Sequence, residues 1–148
     1  MIKNKFIFYL LSWTWGLPMN IIGAVVALCL IVAGYKPYKF GYCCFFEVGE
    51  NWGGCSLGMF VLHSKASPLS TQCHEHGHSI QNCYLGFLMP FVVCIPSAIR
   101  YWYREYLHRV KKIQYRDMPS YDSIWFEGSA SKLGTDFYNW FTDTQLND

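Results

Sequence analysis

The motif that most constrains this 148-residue chain is His74-Glu75-X-X-His78. Histidines four residues apart lie one turn apart on one face of an α-helix, so both imidazoles can reach a single metal ion. Glu75 lies beside them, where it can polarise a water at an open metal position. The motif therefore predicts a helix, and a third ligand that the fold must bring back to it. The alternative is a surface helix that is merely rich in histidine.

The sequence around the motif predicts where this helix begins and ends. Ser67-Pro68 is a start signal, with serine as the N-cap and proline in the first turn, and Gly86 is the stop. His76 falls on a different face from the two motif histidines, so we expect it to face solvent or to support a ligand. Gln81 lies one turn after His78 and can orient it, or can be an ordinary polar helix residue.

A long apolar stretch near the N-terminus, residues 6–34, contains no charged residue. It exceeds the roughly 20 residues that cross a hydrocarbon core. Pro18 and Asn20 are expected to kink it or to mark the start of the helix proper. Since no small-X-small site follows, we predict a retained transmembrane anchor over residues 1–36 rather than a cleaved signal peptide.

Residues 38–64 are predicted to form two strands around the glycine-rich turn Gly49–Gly54. We therefore expect a β-hairpin directly before the metal-binding helix. Its edge could hydrogen-bond an extended peptide and hold it across the metal. The alternative is a hairpin that only covers one side of the helix.

A second apolar run, residues 84–99, is interrupted by Pro90 and Pro96 and is short for a membrane span. If it crossed a bilayer, a metal ligand from beyond it would emerge about 30 Å from the histidines. We therefore predict that this run is re-entrant or buried. The basic, aromatic segment 100–116 is typical of a helix in a membrane interface, or of a surface helix with its charges in water.

Glu127 is the leading candidate for the third ligand. It follows the apolar and aromatic run Ile124-Trp125-Phe126, where an unpaired charge would be costly. Asp122 and Asp136 are the fallbacks. Three further residues rank lower: His63, His108 and Cys73.

The composition limits the environment and the partners. Charged residues are 15% of the chain, against about 25% in soluble proteins, which points to lipid contact. A net charge of +2 is too small to argue for nucleic acid. Seven cysteines are an odd number without a metal-ribbon spacing, so they predict no disulfide framework and favour a reducing compartment.

Four segments of the chain carry a resemblance to known families. The histidine motif together with Glu127-Gly128-Ser129-Ala130 resembles the zinc metallopeptidases of the gluzincin type. More closely, the whole chain resembles a family of short, uncharacterised bacterial membrane proteins. This second resemblance is carried by Trp15–Met19, His74–Asn82, Ile95–Ser97 and Trp125–Gly134.

The gluzincin resemblance implies a site but no particular substrate. It implies Zn²⁺ held by His74, His78 and Glu127, with Glu75 as the general base. Gluzincins usually place an aspartate four residues after the ligand glutamate, and Ser131 stands at that position here. Ser131 is therefore the candidate partner that would orient the first histidine.

Together these features predict an α+β membrane protein. Its expected parts are an N-terminal transmembrane helix, a β-hairpin, a zincin-like helix, a second apolar helix that is re-entrant or buried, and a C-terminal helical segment. Residues 37–148 would form one zincin-like domain.

The expected function is that of a membrane-anchored zinc metallopeptidase hydrolysing peptide bonds with a metal-activated water. Tyr121 is the expected donor to the tetrahedral oxyanion, since no histidine follows position 108. The expected partners are a lipid bilayer and a peptide or protein substrate. The expected location is a bacterial-type inner membrane, with the catalytic part facing the cytoplasm. The alternatives are a non-catalytic membrane protein with a structural zinc, and an interfacial binding module built on 100–116.

Overall fold

The structure, a computed structural model, describes residues 1–147, with side chains for residues 1–146. It is a mixed α+β fold, which confirms the α+β part of the prediction. The helices are α1 (Lys5–Trp13), α2 (Leu17–Val32), α3 (Leu69–Leu85), α4 (Ile95–Arg109) and α5 (Trp125–Asn147). The strands are β1 (Tyr38–Phe40), β2 (Cys43–Glu47), β3 (Gly54–Leu57) and β4 (Phe60–His63). Shorter helical turns are Gly86–Leu88, the π-helical Pro90–Cys94, Tyr115–Asp117 and Tyr121–Ser123.

The N-terminal apolar stretch forms two helices where the sequence predicts one. α1 and α2 meet at 92°. The Asn20 side chain donates to the backbone carbonyls of Ser12 and Gly16, which holds the bend together. The Trp15 indole donates to the Tyr84 carbonyl at 3.1 Å, which ties the bend to the end of α3. These polar contacts and a proline in the first turn of α2 break the helix far more sharply than a simple kink.

Within residues 1–147, no helix taken singly has the length and apolarity needed to cross a bilayer. Two pairs of consecutive helices have the required length and apolarity only when the two helices of a pair are taken together, and each pair is sharply bent. They are Lys5–Trp13 with Leu17–Val32, and Leu69–Leu88 with Pro90–Arg109, the latter bent by 114°.

The four strands form one sheet in the order β1-β2-β4-β3, so the prediction of a single hairpin around Gly49–Gly54 is wrong. That segment joins β2 to β3, which are not neighbours, and β2 pairs with β4 in parallel. The hairpin turns lie instead at Gly41 and Gly58, both with positive φ. The Met59 amide donates to the Asn20 side chain at 2.7 Å, so α2 holds the second turn. β3 therefore lies at the edge of the sheet.

Two glycines allow α3 and α5 to touch backbone to backbone. A Cβ built on Gly77 would lie 2.6 Å from the Ala130 carbonyl carbon, and one on Gly134 would lie 2.5 Å from the Cys73 carbonyl carbon. Cys73 and Gly77 are four residues apart on α3, and Ala130 and Gly134 are four apart on α5. Each helix therefore contacts the other along one narrow face. This close approach brings Glu127, one turn before Ala130, alongside the motif histidines.

The core lies on the opposite side of α3 from the metal motif. Its largest buried side chains are aromatic or branched, and they come from α1, the sheet, α3 and α5. They include Phe8, Phe45, Val61, Ile80 and Phe137. A smaller cluster of Met19, Met89, Val93 and Phe126 joins α2 and the π-helical turn to α5. One face of α3 is thus packed into the larger cluster through Ile80, which directs the metal motif away from the core.

Candidate metal centre and cleft

The structure brings His74, His78 and Glu127 together at one point. The two Nε2 atoms are 3.1 Å apart, and Glu127 Oε2 lies 3.1 Å from that of His74 and 3.2 Å from that of His78. In a tetrahedral site with bonds of about 2.0–2.1 Å, neighbouring ligand atoms lie about 3.3–3.4 Å apart. The observed spacing is within a few tenths of an ångström of this value. This group could therefore hold a metal ion.

The Glu127 carboxylate is set up to bind a cation. Its side chain is fully buried, and Oε1 has no hydrogen-bond partner among the described residues. Burial alone would raise the pKa of this carboxyl, but hydrogen bonds with His74 and His78 outweigh burial and hold the pKa well below its usual range. A buried carboxylate with an unsatisfied oxygen beside two imidazoles is a group that a bound cation would stabilise.

His74 and His78 are both oriented through Nδ1, the ring nitrogen that faces away from Glu127. His74 Nδ1 lies 2.8 Å from Ser131 Oγ, and His78 Nδ1 lies 2.8 Å from Gln81 Oε1. The Gln81 amide donates in turn to the Phe126 carbonyl at 2.6 Å, which fixes its orientation. An imidazole whose Nδ1–H donates to oxygen, and whose Nε2 has released its proton, presents the Nε2 lone pair to a metal. Both predicted supporting residues thus lie where such support is needed.

The fallback ligands do not join this group. Asp122 is half exposed, and its carboxylate lies 4.0 Å from His74 Nδ1, the nitrogen directed away from the cluster. Asp136 pairs with Lys132 on the surface. The lower-ranked residues lie elsewhere: His63 bonds Tyr38, His108 stacks on Tyr115, and the Cys73 backbone packs against Gly134.

Glu75 lies beside His74, His78 and Glu127. All four residues line one cavity. Glu75 is only 6% exposed, and its side chain packs against Gly54 of β3, where a Cβ would come within 2.6 Å of Glu75 Cγ. Burial raises the pKa of this carboxyl, against the opposing effect of the nearby histidines. Glycine at position 54 thus makes room for the carboxylate between α3 and the edge strand.

Tyr121 reaches the cavity from the turn that precedes α5. Its ring centroid is 6.5 Å from that of His74, and its hydroxyl lies 3.1 Å from Ser97 Oγ. The guanidinium groups of Arg100 and Arg104 lie 5.6 and 5.7 Å from the Tyr121 ring centre. Burial raises the pKa of Tyr121, with the Ser97 hydrogen bond opposing it, so the phenol stays a proton donor at neutral pH.

Ser97 lines the cavity, and no role for it is predicted from the sequence. The Ile95-Pro96-Ser97 segment carries part of the family resemblance, but nothing in its local pattern indicates a contact with Tyr121, 24 residues away. The π-helical turn before α4 is the structural signal. Such turns are rare and frequently occur at functional sites.

His76 is not in the site, and the prediction that it faces solvent or supports a ligand is wrong. It is fully buried, with its ring stacked on Phe137 at 4.3 Å between centroids and its Nε2 accepting from the Tyr42 amide. Burial lowers the pKa of His76 to about 3. The face of α3 opposite the metal motif lies against the core, so a histidine there becomes a neutral core residue.

His74, His78 and Glu127 line a cavity of about 720 Å³. Glu75, Tyr121 and Ser131 add polar groups to its lining, and the edge strand β3 forms one wall. The apolar part of the lining includes Met19, Leu57, Met89 and Val93. A volume of this size accommodates a peptide segment or another ligand of several hundred Å³.

Comparison of the chain with protein-family models, curated proteins and solved structures finds no match.

Proposed function

We propose that the chain is a membrane-anchored zinc metallopeptidase that hydrolyses peptide bonds. The observation that carries the proposal is the meeting of His74, His78 and Glu127 at distances of 3.1–3.2 Å in the wall of an open cleft that also contains Glu75. The gluzincin-type resemblance of the two sequence blocks points to the same three ligands and the same acidic residue.

Zinc fits this group better than magnesium or calcium does. Two imidazole nitrogens and one carboxylate oxygen at tetrahedral spacing are a donor set that zinc prefers, whereas magnesium and calcium require more oxygen ligands. Zinc bound here would act as a Lewis acid, lowering the pKa of a water and polarising a carbonyl. A catalytic site has three protein ligands and an open position, and the metal-binding group among residues 1–147 has three.

The side chains around this group have the chemistry that peptide hydrolysis requires. Glu75 would accept the proton of the attacking water and pass it to the leaving amine, a role helped by the raised pKa of its buried carboxyl. The Tyr121 phenol would donate a hydrogen bond to the oxygen on which negative charge develops. Gln81 and Ser131 would keep the two imidazoles in orientation.

An extended peptide substrate has a place to bind along β3. This strand pairs with β4 on one side only, lies at the edge of the sheet, and lines the cavity. Backbone groups on its open side could pair with an extended chain and lead it past Glu75, which packs against the first residue of the strand.

The membrane location is part of the same proposal. Charged residues are only 15% of the chain, and many apolar side chains on α2 and α4 are exposed. A bilayer would cover them. We place the protein in a bacterial-type inner membrane, with the site on the cytoplasmic side.

The two competing functions make different demands on the same residues. A non-catalytic protein with a structural zinc would need a fourth protein ligand, and the cluster has three within the described part of the chain. An interfacial binding module built on 100–116 would need no metal, and it gives no reason for the buried, unpaired Glu127 oxygen.

Two measurements on the purified full chain test the proposal. Metal analysis should find one zinc per chain. Glu75→Gln should lower peptide turnover by about 10²–10⁴-fold while zinc content is unchanged. Glu50→Gln, which alters an exposed glutamate in the β2–β3 connection, is the matched control and should keep wild-type turnover. Zinc-free protein, or full turnover in Glu75→Gln, would refute the mechanism.

A further inference from the structure

The two ends of the N-terminal apolar segment lie on the same side of the molecule. The Tyr42 hydroxyl donates to the Lys3 carbonyl at 2.6 Å, and the Lys3 amine lies 5.4 Å from the centre of the Trp140 ring on α5. Lys3 precedes α1, and Tyr42 follows α2. If the intervening chain crossed a bilayer once, these two residues would lie about 30 Å apart on opposite faces. Their contact means that the segment turns back.

The second apolar segment turns back in the same way. His78 lies before it and Glu127 after it, yet His78 Nε2 and Glu127 Oε2 are 3.2 Å apart. The chain between them contains the 114° bend from α3 into α4. The chain before each apolar segment and the chain after it therefore meet on the side of the molecule that contains the sheet and α5.

Each pair exposes an apolar face that no described residue covers. None of the fifteen residues of α4 is buried, although the helix contains the large apolar side chains of Ile95, Ile99 and Trp102. Phe91, in the π-helical turn before α4, is exposed as well. α2 has no charged residue, and its side chains from Ile21 to Val32 are largely exposed. In water, two such faces on one small protein would associate or aggregate.

We propose that α2 and the Pro90–Ile99 segment insert side by side into a single leaflet of an anionic lipid bilayer, and that none of residues 1–147 crosses it. α2, with 16 residues, is about 24 Å long, and Pro90–Ile99, with ten residues, is about 15 Å long. Both are shorter than a hydrocarbon core of about 30 Å. This inference rests on the membrane association in the proposed function, but not on zinc or catalysis.

The charges around the two apolar faces favour lipid over a second protein. Eight of the twelve Lys and Arg residues lie at positions 3–5, 36–39 and 109–116, at the two ends of the α1–α2 pair and at the end of α4. These ends remain at the level of the headgroups when the apolar faces are inserted. Basic residues at that level are attracted to anionic lipid.

Insertion in this manner would place the cleft at the membrane surface. Cys94, Ser97 and Tyr101 line the cavity, whereas Phe91, Ile95 and Ile99 on neighbouring turns are exposed. One wall of the cleft is thus the reverse side of a lipid-facing helix. A peptide segment lying on, or emerging from, the bilayer would reach the site without leaving the surface.

The topology is tested by labelling single cysteines with a membrane-impermeant maleimide. In a Cys29→Ser/Cys55→Ser background, Lys5→Cys, Lys36→Cys and Lys111→Cys should all react from the same face, in spheroplasts or in inverted vesicles but not in both. Reaction of Lys5→Cys and Lys36→Cys from opposite faces would overturn the proposal. Peptide turnover is measured separately, so a failed topology and a failed enzymatic proposal are distinguishable.

The lipid-facing surface is tested by flotation with vesicles of phosphatidylcholine, with and without phosphatidylglycerol. Val25→Asp and Ile99→Asp should each weaken binding at least tenfold, and wild-type binding should be stronger with the anionic lipid. Leu146→Asp on α5, where the leucine is 83% exposed, is the matched control and should bind within twofold of wild type. Equal binding by all three variants, or a discrete dimer that ignores vesicles, would contradict the proposal.

Discussion

Replacing Gly77 with alanine should separate α3 from α5 and weaken both the fold and the metal site. The new Cβ would overlap the Ala130 carbonyl oxygen and lie 2.6 Å from the carbonyl carbon, whereas ordinary carbon contacts are about 3.5–4.0 Å, so the helices must part by at least about 1 Å. Overpacking of this kind costs about 1–3 kcal/mol. Alanine is otherwise the better helix former by about 1 kcal/mol, so without the steric conflict the substitution would stabilise the protein.

The effect on zinc follows from the same displacement. Glu127 lies one turn before Ala130 on α5, and a zinc site tolerates ligand shifts of only about 0.2 Å. We expect Gly77→Ala to bind zinc at least tenfold more weakly, measured by competition with a chelator, and to have a lower Tm. Gly53→Ala, where no atom lies within 4 Å of the added Cβ, should change neither. A Gly77→Ala protein with raised Tm and unchanged zinc affinity would refute the close-packing argument.

Three further predictions concern residues around the site. Burial lowers the pKa of His76 to about 3. Below pH 6.5 the unfolded chain therefore binds a proton at His76 that the folded chain does not bind. Wild type should lose about 2 kcal/mol of unfolding free energy between pH 7 and pH 5 through this residue. Denaturant titrations should show that His76→Phe, which keeps the stack on Phe137, escapes that loss. Gln81→Ala and Ser131→Ala should each bind zinc about 10–100-fold more weakly by chelator competition, and equal affinity would remove their orienting role. Tyr121→Phe should lower kcat by about 10²–10³-fold with KM within twofold, and an unchanged kcat in steady-state assays would exclude it as the oxyanion donor.

The parts of the site that sequence alone predicts are those governed by local spacing. Residues four apart on a helix share a face whatever surrounds them, so the juxtaposition of His74 and His78 is predictable. The predicted end of the helix at Gly86 is confirmed, and α3 begins at Leu69, two residues after the predicted cap. Ser67 does not cap it, because its hydroxyl bonds the Gly53 carbonyl and Ser64 instead.

Other parts depend on contacts between distant segments, which local patterns do not contain. The sheet order follows from parallel pairing of β2 with β4, and the turn at Gly58 lies inside what reads as a continuous strand. The burial of His76 follows from the packing of the sheet and α5 on α3. Glu127 is an intermediate case. Its apolar neighbours predict that the carboxylate is buried, but its approach to the histidines depends on Gly77 and Gly134.

Zinc K-edge X-ray absorption on the purified full chain tests most directly whether His74, His78 and Glu127 bind zinc. We predict one zinc per chain, with two imidazole nitrogens and carboxylate and water oxygens at about 2.0–2.2 Å and no sulfur near 2.3 Å. Glu127→Gln should lose most of the bound zinc. A sulfur ligand, or full zinc content in Glu127→Gln, would contradict the claim that His74, His78 and Glu127 form the site.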